Sequence, residues 1–166
     1  MVMGEMTQEV EVVFIGGGPG GYAGAFRAAD LGLDVMIIDE EPRLGGVCLL
    51  RGCIPSKTLL HVSQLLRDAQ TADEIGLKFG SPEIDIDKVR AYKNRVIDRL
   101  VGGLTRLARQ RSVQVVQGRA MFEDSHTLRL EGADLAHAKF KHAVIATGSH
   151  PIALPGTPFE PGWGVS

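Results

Sequence analysis

Cysteine is scarce in this chain, with two residues in 166, and aromatic side chains make up only 5%, with one tryptophan. Two cysteines are too few to staple a secreted disulfide scaffold. No apolar run approaches the roughly 20 residues that a membrane-spanning helix needs. Charge of one sign is missing as well: 18 basic and 20 acidic residues leave a net charge of −2. Such a balance offers no basic surface for nucleic acid. The opening MVMGEMTQEVE is acidic and has neither the basic nor the apolar region of a signal peptide. These absences point to a cytoplasmic protein with neither nucleic acid nor membrane as partner. In that compartment a lasting structural disulfide is unusual, so a close cysteine pair reads as catalytic or metal-binding. The length suits one domain with a sizeable core.

Glycine, by contrast, is abundant, at 21 residues. Val10 to Ile15 is β-rich and mostly apolar, as a strand buried on both faces should be. GGGPGG follows, Gly16 to Gly21, and then YAGAFRAADLG alternates small and apolar residues at helical spacing. Gly32 stands where a helix C-cap belongs. Asp34 to Asp39 forms a second strand. Strand, glycine turn, helix and strand within about 30 residues make one βαβ unit and predict a parallel sheet. Pro42 to Gly46 is turn-rich. A helix is expected from Pro55 to about Ala72, with Leu59, Leu60, Ser63, Leu66 and Ala69 on one stripe. A second is expected from Asp85 to about Gln110, with Val89, Tyr92, Val96, Leu100, Leu104 and Leu107 on one stripe. Gly102 and Gly103 weaken its middle. Val113 to Val116 reads as a third buried strand. An antiparallel meander with turns near Asp124 and Glu131 then returns to a buried strand, Ala143 to Ala146. The fold class is α/β, Rossmann-like, with a parallel sheet, helices and a small antiparallel meander. Residues 1–150 form the domain, and 151–166 a connecting tail.

The motif Gly16-x-Gly18-x-x-Gly21 has a strand before it, a helix after it and an acidic residue further on. Gly16 permits the tight turn, Gly18 lets backbone approach a pyrophosphate, and Gly21 lets the helix lie close to the strand. The helix start adds free N–H groups and a positive dipole end. Asp39, 18 residues past Gly21, can accept hydrogen bonds from ribose hydroxyls and disfavours a 2′-phosphate. The loop by itself fits either FAD or NAD.

Both cysteines fall in VCLLRGCIPSK, at Cys48 and Cys53. Five residues along a regular helix separate Cα atoms by roughly 9 Å, whereas a disulfide needs less than about 7 Å. A Cys48–Cys53 bond therefore requires a distorted first turn or a preceding loop, which Gly52 and Pro55 suit. Cys53 then sits near a helix start, where a thiolate is stabilised, with Lys57 four residues on. Three readings remain: a metal site, for which only His61 is a nearby further ligand; a reduced core pair; and a redox-active disulfide.

The blocks GGGPGGYAGAFRAADLGLDVMIIDE, LGGVCLLRGCIPSKTLLH and ATGSHPIALPG occur in order from Val10 to Gly156. Together they resemble the N-terminal part of the dihydrolipoamide dehydrogenases, within the flavin-dependent pyridine nucleotide–disulfide oxidoreductases. The resemblance implies that the dinucleotide is FAD. Gly16, Gly18, Pro19, Gly20 and Gly21 would hold its pyrophosphate, and Asp39 its adenosine ribose. Gly45, Gly46, Val47 and Cys48 would line the ribityl and flavin side, with Lys57 beside the flavin ring. Backbone from Gly118 to Ala120 would meet the adenine. Ala146, Thr147, Gly148 and Ser149 would close over the cofactor. Cys48 would meet a dithiol substrate such as dihydrolipoamide, and Cys53 would face the flavin. No metal is implied.

Two departures matter. The family commonly has Asn where Leu50 stands, and often Thr at Val47. The chain is also truncated relative to the family, whose members continue into an NAD domain and a homodimer interface. His61, His126, His137, His142 and His150 show no His–Glu pairing of the acid–base kind and are expected on the surface or in loops. Electrons would pass in the parent protein from the dithiol through Cys48–Cys53 and FAD to NAD+, and these 166 residues alone are expected to be inactive. The alternatives are a fragment of a mercuric or other dithiol reductase, and a non-catalytic FAD-binding module. A missing later segment would leave an unpaired strand edge or exposed apolar surface.

Overall fold

The structure, a computed structural model, describes residues 6–149, 152, 155 and 156. Strand β1 (Thr7–Ile15) leads through the glycine loop into α1 (Pro19–Asp30) and then β2 (Val35–Asp39). A short helix α2 (Gly46–Leu50) and a long one, α3 (Cys53–Thr71), follow. A 3-10 turn (Ala72–Ile75) precedes α4 (Ile86–Gln110). The chain then forms β3 (Gln114–Gln117), β4 (Arg119–Phe122), β5 (Thr127–Glu131) and β6 (His137–Ile145). Most of the expected tail, 151–166, lies outside the described residues, as does His150.

The strand order is β3-β2-β1-β6-β5-β4. The first four strands are parallel and the last two continue antiparallel. Only Gly118 separates β3 from β4, yet they stand at opposite ends of this order. The meander must therefore fold back over the parallel strands. Its Leu128, Leu130, Ala138 and Phe140 close one face of the sheet against Val10, Val13, Met36 and Ile38. The other face, with Val12, Phe14, Val35 and Ile37, receives Ala25 of α1 and Ala108 of α4. β2 is covered on both sides, which is why Val35 to Ile38 is an unbroken apolar run. In β1 the N–H groups of Glu11 and Val12 both donate to Asp34 O, at 3.1 and 3.0 Å. This bulge-like step shifts the alternation, so Val10 and Val13 share one face.

The parallel sheet and the meander follow the sequence expectation, and α1 stops as expected, with Gly32 at φ +87°. Several details differ. β1 begins at Thr7 rather than Val10, because Thr7 to Glu9 pair with His137 to Lys139 of β6. α4 runs unbroken through Gly102 and Gly103. Its buried residues are Ile97, Val101 and Ala108, while Tyr92, Leu100 and Leu107 stay about 40% exposed. The contacts with α2 and the sheet, not the apolar count, choose which side of the helix turns inward. On α3 only Thr58 is buried, and Leu59 and Leu60 of the expected stripe are exposed.

The end of β6 is the clearest correction. Ala143 to Ile145 is paired with β1 but is not buried. β5 pairs with β6 only from His137 to Lys139, so among the described residues nothing flanks the last part of that strand, and Ile145 is 68% exposed. His137 corrects a second expectation. It lies within β6, largely covered, with Nε2 3.3 Å from Glu123 Oε2. The meander thus does hold a His–Glu contact. His126 sits in a turn, with Nδ1 3.1 Å from Phe140 O. Among the described residues no helix is long and apolar enough to cross a membrane.

Asp85 caps α4, its side chain accepting the Lys88 N–H at 3.0 Å. That bond, followed by one from the Lys88 ammonium, holds the Asp85 carboxyl below its ordinary value. A depressed folded value stabilises the native state above the unfolded pKa and fades as pH falls through the folded one. Asp85→Ala is therefore expected to lower the melting temperature at neutral pH, with the difference from wild type closing in acid. Asp85→Asn keeps an acceptor that does not titrate. Its advantage over Ala should persist in acid, and thermal scans across pH read both effects.

Candidate functional site

The glycine loop joins β1 to α1. Gly16 has φ +108°, and a Cβ there would lie 2.3 Å from Ala146 O. Its N–H donates to Ile38 O at 2.7 Å. A Cβ at Gly21 would fall 1.8 Å from Gly16 O, so the helix can start this close to the strand only with glycine. Gly18 is the N-cap, where an added Cβ would meet nothing nearer than Gly46 Cα at 3.8 Å. The backbone at Gly18 is therefore open on that side. Pro19 has no N–H, and the first intrahelical donor is Tyr22, to Gly18 O at 2.9 Å. The N–H groups of Gly18, Gly20 and Gly21 are thus left for an anionic group at a helix start.

Asp39 ends β2. One carboxylate oxygen accepts the Gly17 N–H and the other accepts the Glu41 N–H at 2.8 Å. Its carbonyl receives the Gly118 N–H at 2.8 Å. This brings the β3–β4 junction, Gly118 to Ala120, to the end of β2, although Ala120 also packs against the core. On the other side, the Ala146 N–H donates to Ile15 O at 2.8 Å. Ala146 therefore lies directly against the glycine loop, and Thr147, Gly148 and Ser149 follow it, exposed.

The cysteines come from two helices rather than one. Gly45 and Gly46 take positive φ, +130° and +58°, and open α2. The Gly45 N–H donates to Gly17 O at 2.9 Å, and a Cβ on Gly46 would sit 2.7 Å from Gly18 Cα. α2 stops after one turn at Arg51 and Gly52, and α3 begins with Cys53. This break is the distortion that the spacing required. It joins Cys48 and Cys53 in a disulfide with Cα atoms 4.7 Å apart. Cys53 is the more exposed of the two, and Lys57 is exposed on the next turn of α3. Leu50, in place of the expected Asn, packs with Leu49, Ile97 and Val101 where α2 meets α4. Among the described residues no three His, Cys, Asp or Glu are grouped to hold a metal ion.

Sequence reasoning did not find α2, nor the bonds of Gly17 and Glu41 to Asp39, nor the burial of Leu44 beside Phe14 and Ile37. A glycine between the motif positions 16 and 18, where the motif does not need one, was the available signal for the first of these residues. Also unforeseen were two exposed ion pairs at 2.6 Å, Arg43–Asp98 and Arg51–Glu41, each with one partner in the segment after β2.

The contact between Gly18 and Gly46 is testable. Gly46→Ala places a Cβ against backbone in a positive-φ position. It is expected to destabilise the fold by about 1–3 kcal/mol in denaturant titration. Gly80→Ala, where a Cβ meets nothing within 4 Å, should stay within about 0.5 kcal/mol of wild type.

Comparison with known proteins agrees with this geometry. Residues 10–164 match the family described as pyridine nucleotide-disulphide oxidoreductase. The chain is 48% identical to the dihydrolipoyl dehydrogenase of Vibrio cholerae, over 93% of its own length and 33% of the relative's. It is 47% identical to that of Buchnera aphidicola subsp. Schizaphis graminum over the same shares. The enzyme of the same name from Geobacillus stearothermophilus is 44% identical, over 96% of this chain and 34% of its own. The chain thus spans about a third of the length of these relatives. A strand–glycine loop–helix unit, a disulfide set against that loop and the family match together show that this chain belongs to the pyridine nucleotide–disulphide oxidoreductase family.

Proposed function

We propose that this chain is the N-terminal FAD-binding part of a disulfide oxidoreductase that oxidises a dithiol such as dihydrolipoamide, residues 1–150 forming the binding domain and 151–166 leading on. One observation carries the reading: the helix that bears Cys48 begins in contact with the nucleotide loop, Gly46 against Gly18. A cofactor held by that loop would have the disulfide as its neighbour. The three unclaimed N–H groups of Gly18, Gly20 and Gly21 suit its pyrophosphate, which is chemistry the donor set fits.

The chain's own residues carry the thiol exchange. A thiolate of the substrate attacks Cys48 Sγ, the Cys48–Cys53 bond breaks, and its electron pair remains on Cys53 as thiolate. The helix start and Lys57 favour that anion. The second substrate thiolate then attacks the substrate sulfur of the mixed disulfide and releases Cys48 as thiolate. The substrate leaves as a cyclic disulfide, and its two electrons rest on the cysteine pair. FAD, when bound, supplies the two-electron acceptor that restores the disulfide, and NAD+ is the final acceptor in the longer parent protein, a homodimer working in the cytoplasm. We assign turnover to that parent, because this chain spans only about a third of the length of its relatives and the resemblance places the NAD site and the acid–base pair outside that third.

Visible absorption of the purified chain with added FAD tests this. Flavin bands are expected, with a long-wavelength shoulder after addition of a dithiol, and Cys48→Ser should block reduction by the dithiol. Flavin that binds and stays oxidised in the presence of dithiol would overturn the reading. Steady-state assays should show no dithiol-dependent NADH formation by these 166 residues.

A further inference from the structure

We propose that Asp39 is a positioning residue that holds the nucleotide loop in its binding shape before any ligand arrives. We further propose that position 17 is glycine because the Asp39 carboxylate lies where a side chain would stand. The dinucleotide motif needs glycine at 16, 18 and 21, not at 17. Gly17 does not have positive φ, so conformational freedom does not explain it. A Cβ there would lie 2.9 Å from Asp39 Oδ2 and 2.9 Å from Leu44 Cδ2. Both obstacles belong to the segment that leaves β2.

Asp39 ties its own turn to two stretches of chain that are distant in sequence. Its Oδ2 accepts the Gly17 N–H, 22 residues away. Its Oδ1 accepts the Glu41 N–H, which turns the chain after β2 in an Asx-type bend. Its carbonyl accepts the Gly118 N–H from the β3–β4 junction. Without the carboxylate, the partly covered Gly17 N–H loses its acceptor. The loop then samples other shapes, and a ligand must order it on binding at a cost in affinity. The effect works through backbone already held in the free protein. It is therefore independent of any contact between Asp39 and a ribose.

The binding part of the test rests on the FAD reading above, but the first part does not. Amide hydrogen exchange in the cofactor-free chain should show Gly17 protected in the wild type. Asp39→Ala should expose it by about tenfold or more, the factor that corresponds to one ordinary hydrogen bond. Asp39→Asn, nearly isosteric and with one acceptor oxygen, should keep the fold and fall between them. Unchanged Gly17 exchange in both variants would overturn the proposal. Affinities should then be measured for FAD and for its analogue lacking the adenosine 2′- and 3′-hydroxyls. An equal fold-loss for both ligands in Asp39→Asn is expected. A loss confined to FAD would mean that Asp39 acts by touching the ribose and would overturn it. If the wild type binds neither flavin, the FAD reading fails while the exchange result still decides the role of Asp39.

Discussion

Two backbones meet without side chains between them where Gly46 lies against Gly18. Everything about the site depends on that approach. Gly18 belongs to the loop that caps α1 and Gly46 opens the helix that carries Cys48. The hydrogen bond from Gly45 to Gly17 O adds to the same junction. The glycine loop and the helix that bears Cys48 are therefore joined by direct backbone contact. The spacing between that loop and the cysteine pair is set by covalent geometry and steric contact rather than by flexible side chains.

Magnitudes show what holds the segment after β2. Its two ion pairs are exposed, and pairs of that kind contribute about 0–1 kcal/mol. Leu44 is 4% exposed, within the cluster that includes Phe14, Ile37 and Ala108, and full burial of a leucine contributes about 1.5–3 kcal/mol. The single apolar anchor and the backbone bonds to Asp39 and Gly17 therefore outweigh the visible charges. Arg43 and Arg51 trim the outline of a loop that Leu44 secures.

The βαβ unit was legible because its signals are local: a buried apolar run, three glycines at fixed spacing, and a helix that stops at Gly32. The cysteine geometry was legible as a constraint, since five helical residues cannot be bridged, and the break at Gly52 satisfies it. What stayed hidden depends on contacts between distant segments. The extension of β1 back to Thr7 needs β6, which lies far along the chain. The apolar residues Ala143 to Ile145 look like a buried strand in isolation, but burial depends on what lies beside them. Similarly, α4 carries apolar residues on a wide arc, and only its seat on α2 and the sheet decides that Ile97 faces in and Leu100 does not. Asp39 was expected beside an adenosine ribose, but its bonds to Gly17 and Glu41 could not be seen until the loop had a shape.

The pairing of Thr7 with His137 joins the beginning of β1 to a residue 130 positions later. A ribosome adds about 5–20 residues per second, so the first strand waits roughly 7 to 26 seconds for the neighbour on its second edge. During that interval Val10 and Val13 lack their cover of Leu128, Leu130 and Phe140. The nascent chain is then an open half-sheet, long before the glycine loop is held in place by Ala146. How long that half-sheet stays open is consequently set by the speed of translation through the codons for Val113 to Ile145, and not by any property of the cysteine region.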